Sequence, residues 1–246
     1  MKNYQAPKNL LQDRVILVTG AGRGLGREAA LSYAAHGATV ILHGRNVAQL
    51  ETVYDEIEAA GYPQAAIIPL DLAVADDKAF ASLADSIRLQ LKRLDGILHN
   101  ATAVLTPTPL ELHTMEQWLS LLRVNVAAPA ALTRACLPLL KAAPSASVIM
   151  TGESHGHNPL AFWGAYAVSK AALEPMAKIW AQEWENLHPH LRINVLIPGP
   201  VNTPIRRKTH PGEDPASIAQ AAELMPAYLY LMGDDSAAVK GEVITL

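Results

Sequence analysis

The sequence is poor in cysteine and in net charge, and each shortage excludes a class of protein. Its one cysteine, Cys136, cannot form an internal disulfide, so a disulfide framework is excluded and a reducing, cytoplasmic location is expected. The formal net charge of −3 leaves no basic excess of the kind that binds nucleic acid. We therefore expect no nucleic-acid partner.

Long apolar segments are also lacking. The longest apolar stretch, Val124 to Leu140, is interrupted by two prolines, an asparagine and an arginine, so no membrane span is predicted. The stretch from Met1 to Arg14 is polar and lacks the apolar core of a signal peptide. We expect a protein that neither crosses nor binds a membrane.

The sequence does contain enough apolar residues for a sizeable core, arranged in a repeating pattern. The chain has 246 residues, of which 50% are hydrophobic, and this suits one domain of the α/β class. Short apolar runs rich in Val, Ile and Leu are typical of strands covered on both faces. Seven such runs are present, at Val15–Thr19, Thr39–His43, Ala66–Leu70, Gly96–His99, Ser147–Thr151, Ile193–Ile197 and Glu242–Leu246.

Longer segments with helical periodicity lie between these runs. They are Arg23–His36, Val47–Ala60, Asp76–Lys92, Met115–Leu140 and Ala165–Leu187. The alternation of strand and helix indicates βαβ units with right-handed crossovers. It predicts a three-layer, doubly wound α/β fold with a seven-stranded, mostly parallel sheet. No shift in composition marks a second domain, so residues 1–246 are expected to form one domain.

A glycine-rich turn follows the first predicted strand. Residues 19–26 read Thr-Gly-Ala-Gly-Arg-Gly-Leu-Gly and lead directly into a predicted helix. Glycine permits a tight turn and a close approach of the backbone to a phosphate, and the helix N-terminus offers free N–H groups. The order strand, turn, helix therefore predicts a dinucleotide site. The alternative is a turn that binds no ligand.

The end of the second predicted strand indicates which dinucleotide is bound. An acidic residue there would bind the ribose 2′-hydroxyl of NAD, but the residues are His43, Gly44, Arg45 and Asn46. Arg45 offers a guanidinium to a 2′-phosphate, and Arg23 within the turn adds a second positive charge. The pattern favours NADP(H) over NAD(H); solvated surface arginines are the alternative.

Tyr166 and Lys170 lie four residues apart in a predicted helix, and therefore on one helix face. A free phenol has a pKa of about 10, and a nearby ammonium lowers that pKa by favouring the phenolate. Such a pair can exchange a proton with a carbonyl or alcohol oxygen. The spacing alone is common, and it usually reflects one packed ring and one solvated amine.

These motifs occur in the order found in the short-chain dehydrogenase/reductase family, and the resemblance covers nearly the whole chain. Residues 19–26 resemble its cofactor turn, and residues 198–203 resemble the Pro-Gly segment whose threonine contacts the nicotinamide carboxamide. Asp71-Leu72 is similar to the pair at the adenine ring, and Asn100-Ala101 to part of the motif that closes the fourth strand. The resemblance implies a Rossmann fold. The cofactor-binding residues that it implies are Gly20, Arg23, Gly24, Leu25, Gly26, Arg45, Asp71, Leu72, Asn100, Ala101, Tyr166, Lys170, Pro198, Gly199, Val201 and Thr203.

The resemblance also implies a reaction, NADP(H)-dependent hydride transfer between nicotinamide and a small carbonyl or alcohol. Tyr166 would exchange the proton on the substrate oxygen, while Lys170 would bind the nicotinamide ribose and lower the tyrosine pKa. The backbone of Asn125 would help to bind the water of a proton relay. The resemblance further implies a homodimer or homotetramer, formed through the long helices that carry Asn125 and Tyr166.

The sequence departs from the family at the serine expected thirteen residues before the tyrosine. That position is Glu153, and Ser154 follows it. One interpretation is a local shift that makes Ser154 the hydrogen-bond donor to the substrate oxygen, which adds Ser154 to the implied catalytic residues Tyr166, Lys170 and Asn125. A second places Glu153 against the substrate, where an ionised carboxylate would repel a developing oxyanion. A third is altered or lost catalysis in an NADP(H)-binding sensor or structural subunit.

Three further expectations concern the surroundings of this site. Residues near 200–225 are expected to form a substrate lid, because a long proline-containing irregular stretch precedes the last strand. Thr102 replaces the family's glycine after the fourth strand, which predicts an altered loop path, because β-branched residues disfavour positive φ. His99 is expected to be a core histidine paired to backbone. No metal site is predicted, because no cysteine or carboxylate cluster accompanies His155 and His157.

Overall fold

Seven parallel strands form the central sheet of the protein. The computed structural model describes all residues from Met1 to Leu246. The strands are β1 Val15–Thr19, β2 Thr39–Gly44, β3 Ala66–Pro69, β4 Gly96–His99, β5 Ala146–Thr151, β6 Leu191–Ile197 and β7 Val243–Thr245. Their order across the sheet is β3-β2-β1-β4-β5-β6-β7, and every neighbouring pair is parallel. The predicted fold class is therefore confirmed, with a sheet that is entirely rather than mostly parallel.

Ten helices cover the two faces of the sheet. They are α1 Gly24–Ala35, α2 Val47–Ala59, α3 Asp77–Gln90, α4 Met115–Leu122, α5 Ala128–Ala142, α6 Ser154–His157, α7 Gly164–Ala171, α8 Leu173–Trp184, α9 Pro204–Thr209 and α10 Met225–Met232. A π-helical turn, Arg123–Ala127, joins α4 to α5. Short 3-10 turns lie at Leu110–Leu112, Ala221–Leu224 and Asp234–Ser236. None of the helices has the length and apolar character needed to cross a membrane.

Alternate residues of the strands pack into two separate cores, which explains why each strand is apolar throughout. In β1, Ile16 and Val18 pack into a core that includes residues of α1, α2 and α10. Val15 and Leu17 pack on the other face, into a core that includes residues of α3, α5 and α8. The sheet thus forms the middle of three layers.

The winding of the chain reverses at β1. The chain runs outward from β1 to β2 and the edge strand β3, and then returns through α3 to β4, which pairs with β1 on its other side. In such sheets the crevice beyond the carboxyl ends of the two central strands is the usual ligand site. The glycine-rich turn follows β1 directly and borders this crevice.

The two polar residues singled out near the end of β4 have different surroundings. His99 is buried, but its Nε2 lies 2.7 Å from the Thr133 hydroxyl, so its partner is a side chain rather than the expected backbone group. Thr102 is not among the residues with positive φ, and the loop therefore accommodates its branched side chain.

Candidate active site

The turn after β1 can be built only with glycine. Gly20 and Gly24 have φ values of +68° and +58°, in the left-handed region that favours glycine. A Cβ added to Gly26 would lie 2.2 Å from the Gly20 carbonyl oxygen, because α1 packs directly against the turn. Arg23 occupies the N-cap position of α1, and the first turn of that helix contains no acidic side chain. The helix N-terminus is therefore left without an anionic side chain of its own.

Thr19 joins the glycine turn to the loop after β4. Its hydroxyl accepts hydrogen bonds from the backbone N–H groups of Asn100 and Ala101, both at 3.0 Å, and donates to the Leu98 carbonyl at 3.3 Å. Two segments that the resemblance assigned to the cofactor are thus held side by side.

A cavity with an empty volume of about 1200 Å³, which we call the adenosine cavity, lies beside this junction. The predicted cofactor residues in its wall are Gly20, Arg23, Arg45, Asp71, Leu72, Asn100 and Ala101. His43 also lines it, and both ring nitrogens of this buried imidazole lack hydrogen-bond partners. Burial lowers the pKa of His43 to about 4, so the ring is neutral at physiological pH. The glycine cradle and the exposed Arg45 fit a phosphorylated dinucleotide.

A second cavity, the reaction cavity, has an empty volume of about 820 Å³ and continues from the first. Arg23, Asn100, Thr102 and Ile205 line both cavities. The structure brings most of the remaining predicted residues to the wall of the reaction cavity, namely Gly24, Leu25, Tyr166, Lys170, Pro198, Gly199, Val201 and Thr203. A Cβ on Gly24 would lie 3.5 Å from the Thr203 side chain, so the glycine turn and the Pro-Gly segment are in contact.

Tyr166 and Lys170 are both buried on α7 and both line the reaction cavity. Lys170 Nζ donates to the Thr151 carbonyl at 2.9 Å, at the end of β5. Burial lowers the pKa of Lys170 to about 8, and the negative charge of Glu153 partly opposes this effect.

The pKa of Tyr166 differs from the expectation. Burial raises this pKa well above its ordinary value, the charge of Glu153 raises it further, and only the nearby Thr102 hydroxyl acts in the opposite direction. The expected lowering by Lys170 is therefore not observed. In this structure the tyrosine holds its proton, as a proton donor must.

Asn125 lies in the π-helical turn, and its side chain is fully engaged. Its Oδ1 accepts from the Ala103 N–H at 2.8 Å and from the Thr102 hydroxyl at 3.1 Å. Its Nδ2 donates to the Ala103 carbonyl and to the Ser169 hydroxyl, both at 2.9 Å. The side chain therefore holds α7 and the loop after β4 together, and Asn125 lies in the wall of neither cavity.

Glu153 rather than Ser154 lies in the wall of the reaction cavity. Glu153 is the N-cap of α6, where its Oε2 accepts from the backbone N–H of His155 at 2.8 Å. Both carboxylate oxygens also lie 2.9 Å from Nδ1 of His155. Ser154 begins α6 and is not among the residues that line the cavity. Its position does not support the interpretation that Ser154 donates to the substrate.

Aromatic residues that the sequence analysis did not assign to the site complete the wall. Trp163 stacks on His155 with ring centroids 4.1 Å apart and on His210 at 5.5 Å, and it lies 5.8 Å from Tyr166. Trp163 and His210 line the reaction cavity. The one available signal was the position of Trp163, three residues before the tyrosine on the approach to its helix.

The segment expected to form a lid contains a short helix. Thr203 caps α9 by accepting from the Arg206 N–H at 3.2 Å, and Ile205, Arg206 and Thr209 of this helix reach the reaction cavity. Arg206 forms two hydrogen bonds of 2.7 Å with Glu213, so its charge is paired within the lid.

Comparison with known proteins agrees with this geometry. The profile of the short chain dehydrogenase family matches residues 14–214. The uncharacterized oxidoreductase YciK of Escherichia coli K12 is 42% identical over 234 residues, covering 95% of this chain and 92% of YciK.

Solved structures of other proteins resemble this chain in fold as well as in sequence. A short chain dehydrogenase from Salmonella enterica serovar Typhi superimposes with a TM-score of 0.95 at 42% identity, over 98% of this chain and 99% of the other. A candidate short chain dehydrogenase from Escherichia coli CFT073, in complex with NADPH, gives 0.93 at 41% identity, over 97% and 98%. With the parallel sheet, the glycine turn and the Tyr166–Lys170 pair, these matches establish that the chain belongs to the short-chain dehydrogenase/reductase family of Rossmann-fold oxidoreductases.

Proposed function

We propose that the protein is an NADP(H)-dependent oxidoreductase that transfers hydride between nicotinamide and a small carbonyl or alcohol substrate. The observation that carries the proposal is the reaction cavity, which holds Tyr166 and Lys170 opposite the glycine turn and the Pro-Gly segment. Similar proteins in complex with NADP and with NADPH support the choice of cofactor.

The residues of the adenosine cavity would hold the dinucleotide. The N–H groups of the glycine turn and α1 suit the pyrophosphate, and Arg23 and Arg45 suit a 2′-phosphate. Asp71 and Leu72 lie where the adenine would bind, and Asp71 is held by a hydrogen bond from the Ala73 N–H at 3.0 Å. When bound, NADP(H) supplies or accepts the hydride.

Three side chains would act on the substrate and the nicotinamide ribose. Tyr166 holds the proton that the substrate oxygen gains on reduction, because burial keeps its phenol protonated. Lys170 is fixed by the Thr151 carbonyl and would present its remaining N–H groups to the ribose hydroxyls. Asn125 would contribute indirectly, because its side chain positions α7 through Ser169.

A second candidate function is an NADP(H)-binding protein with little turnover, acting as a sensor or structural subunit. The observation that favours it is the carboxylate of Glu153 in the wall of the reaction cavity, where a negative charge opposes an oxyanion. Both functions require NADP(H) binding, and they differ in catalysis.

NADPH oxidation against a panel of aldehydes, ketones and quinones separates the two. For a substrate that is turned over, we expect Tyr166→Phe to lower kcat by about 10²- to 10⁴-fold, since a general acid is lost, and to weaken NADPH binding far less than it lowers kcat. Tyr54→Phe is the matched control, because the Tyr54 hydroxyl only accepts a surface hydrogen bond from Gln64. Tight NADPH binding without turnover of any carbonyl would favour the binding protein.

The same assay decides the role of Ser154. Since Ser154 does not line the cavity, we expect Ser154→Ala to keep kcat within about twofold, as for a surface substitution. A large loss of kcat would restore Ser154 as the substrate donor.

We further propose a cytoplasmic location and a homodimeric or homotetrameric state. The fully buried Cys136, whose pKa burial raises to about 12, remains an unreactive thiol and is consistent with a reducing compartment. The support for an oligomer is the exposure of apolar side chains on α4 and α8.

A further inference from the structure

The carboxyl group of Glu153 is held in place by His155. Nδ1 of His155 is equidistant from both carboxyl oxygens, at 2.9 Å. The backbone N–H of His155 adds a further donor at 2.8 Å. Two N–H groups leave lone pairs of the carboxylate unused, and Glu153 faces the reaction cavity.

The other charged groups of the reaction cavity are committed elsewhere. Arg206 is paired with Glu213, and Lys170 donates to the Thr151 carbonyl beneath the tyrosine. Arg23 also lines the adenosine cavity, toward the phosphates of a dinucleotide. Glu153 is the one acidic side chain in the wall of the reaction cavity, and its charge acts on both Tyr166 and Lys170.

An aromatic ring lies next to this carboxylate. Trp163 lines the cavity and stacks on His155, the partner of Glu153, with ring centroids 4.1 Å apart. Trp163 thereby keeps His155, and with it the carboxyl group, in place at the cavity wall. Attraction between a carboxylate and a cation is stronger in a partly buried site than in water, so Glu153 favours a cation and disfavours a group on which negative charge develops.

We propose that Glu153 selects a substrate whose reacting group is a protonated imine, the nitrogen analogue of a carbonyl. The inference rests on the NADP(H)-dependent hydride transfer proposed above and places an imine, rather than a carbonyl, at the reacting centre. Glu153 accepts a hydrogen bond from the iminium N–H, and its charge raises the pKa of the imine nitrogen, which keeps the imine in its protonated, electrophilic form.

The reaction balances without a further reactant. The imine carbon accepts a hydride, with its electron pair, from NADPH, and the π pair of the C=N bond becomes the lone pair of nitrogen. The proton already on nitrogen remains there, so the products are an amine and NADP⁺. Reduction of a ketone would instead place a growing negative charge beside Glu153.

Ligand binding tests the inference without turnover. The probes are pyrrolidinium and tetrahydrofuran, rings of the same size that differ in charge, titrated calorimetrically into the protein saturated with NADPH. We expect pyrrolidinium to bind at least about tenfold more tightly, the range for a hydrogen bond to a charged group, and Glu153→Gln to abolish most of this preference. The amide oxygen of the substituted side chain would still accept from the His155 N–H, so α6 is expected to remain capped.

Turnover provides the second arm, with 1-pyrroline and cyclopentanone as substrates of equal ring size. We expect kcat/KM to be at least about tenfold higher for the imine. Glu153→Gln should lower the value for the imine, leave the NADPH affinity unchanged and make ketone reduction no slower, since the opposing charge is removed. Glu174→Gln is the matched control, because Glu174 forms the same 2.9 Å contact with an imidazole, that of His157, outside the cavity.

The outcomes separate this inference from the proposed function. Reduction of ketones with no preference for the cation or the imine would overturn the inference and leave the function intact. Cation binding without imine reduction, or an equal effect of the Glu174 variant, would also overturn it. Failure of the native protein to bind NADPH would overturn the proposed function itself.

Discussion

At the scale of single residues, two buried histidines link stability to pH. Burial lowers the pKa of His43 to about 4 and that of His99 to about 3, below the ordinary value of 6.5. The unfolded chain therefore binds more protons than the folded one below pH 6.5. Stability is fully present above this pH and falls as the pH drops toward the folded-state values, by about 1.4 kcal/mol per pH unit for each histidine.

Replacing one histidine should reduce this pH dependence. We expect His43→Leu to lower the slope of unfolding free energy against pH by about 1.2 kcal/mol per pH unit between pH 6 and 5, because one titrating group is removed. At pH 7 the variant should be near neutral or stabilised, since both His43 nitrogens lack partners. Urea unfolding of the cofactor-free protein at several pH values measures both the slope and the free energy of unfolding at pH 7.

Lys170 sets a second pH dependence, in cofactor binding. Burial lowers its pKa to about 8, so the ammonium is present below this pH and is lost as the pH rises through it. We expect NADPH affinity to be constant at neutral pH and to weaken above pH 8, as the contact of the cation with the ribose disappears. Fluorescence titration from pH 6.5 to 9.5 measures it. A Lys170→Met variant that showed the same alkaline loss would contradict the assignment.

At the scale of elements, the packing of α6 on α7 sets the position of Glu153. A Cβ on Gly156 would lie 2.8 Å from the Ala171 nitrogen and 2.9 Å from the Lys170 carbonyl carbon, both backbone atoms. We expect Gly156→Ala to push the two helices apart and to destabilise the protein by about 1–3 kcal/mol, as overpacking does. Activity should also fall, because Glu153 and Lys170 both move.

Gly212 gives the matched control for this substitution. Nothing lies within 4 Å of a Cβ built there, and its φ is not positive. Gly212→Ala should therefore change neither the urea midpoint nor kcat/KM. Equal stability of the two variants would show that the approach of α6 to α7 is looser than described.

The strands were the elements that the sequence predicted best. Each apolar run became a strand within two residues of its expected ends, because burial on both faces leaves a continuous apolar signal. Two segments that were each predicted as one continuous helix are divided into two helices in the structure. Residues 115–140 are divided by the π-helical turn that contains Asn125, and residues 165–187 are divided at Ala172, where α7 ends and α8 begins. Hydrophobic periodicity does not register a one-residue change in helical winding.

The site was predictable where spacing along the chain determines contact, and less so elsewhere. The glycine turn and the Tyr166–Lys170 pair are local patterns, and residues of both lie in the wall of the reaction cavity. The choice between Glu153 and Ser154 depends on how α6 is capped, since the N-cap residue faces the cavity and its neighbour does not. The stacking of Trp163 on His210 joins residues 47 positions apart and has no local signature.

At the scale of the whole molecule, apolar side chains remain exposed on the helices that carry the site. Leu119 on α4 is 59% exposed, and Ile179 on α8 is 52% exposed. We expect light scattering to give the mass of a dimer or tetramer of the 26.4 kDa chain, because such surface is usually covered. The double variant Leu119→Glu and Ile179→Glu should shift the mass toward the monomer. Val74, which is 73% exposed at the far edge of the sheet, is the control site, and a monomeric native protein would contradict the proposal.

The single return from β3 at the sheet edge to β4 at its centre divides the site into two consecutive parts of the chain. Residues before this crossover build most of the adenosine cavity, and residues after it build most of the reaction cavity. Most residues that would set cofactor preference therefore precede Arg93, and most residues that would set substrate preference follow it. A single recombination between related genes near the codon for Arg93 would exchange one of these sets and keep the other. New chemistry can be inherited in the second part while the dinucleotide site of the first part is left untouched.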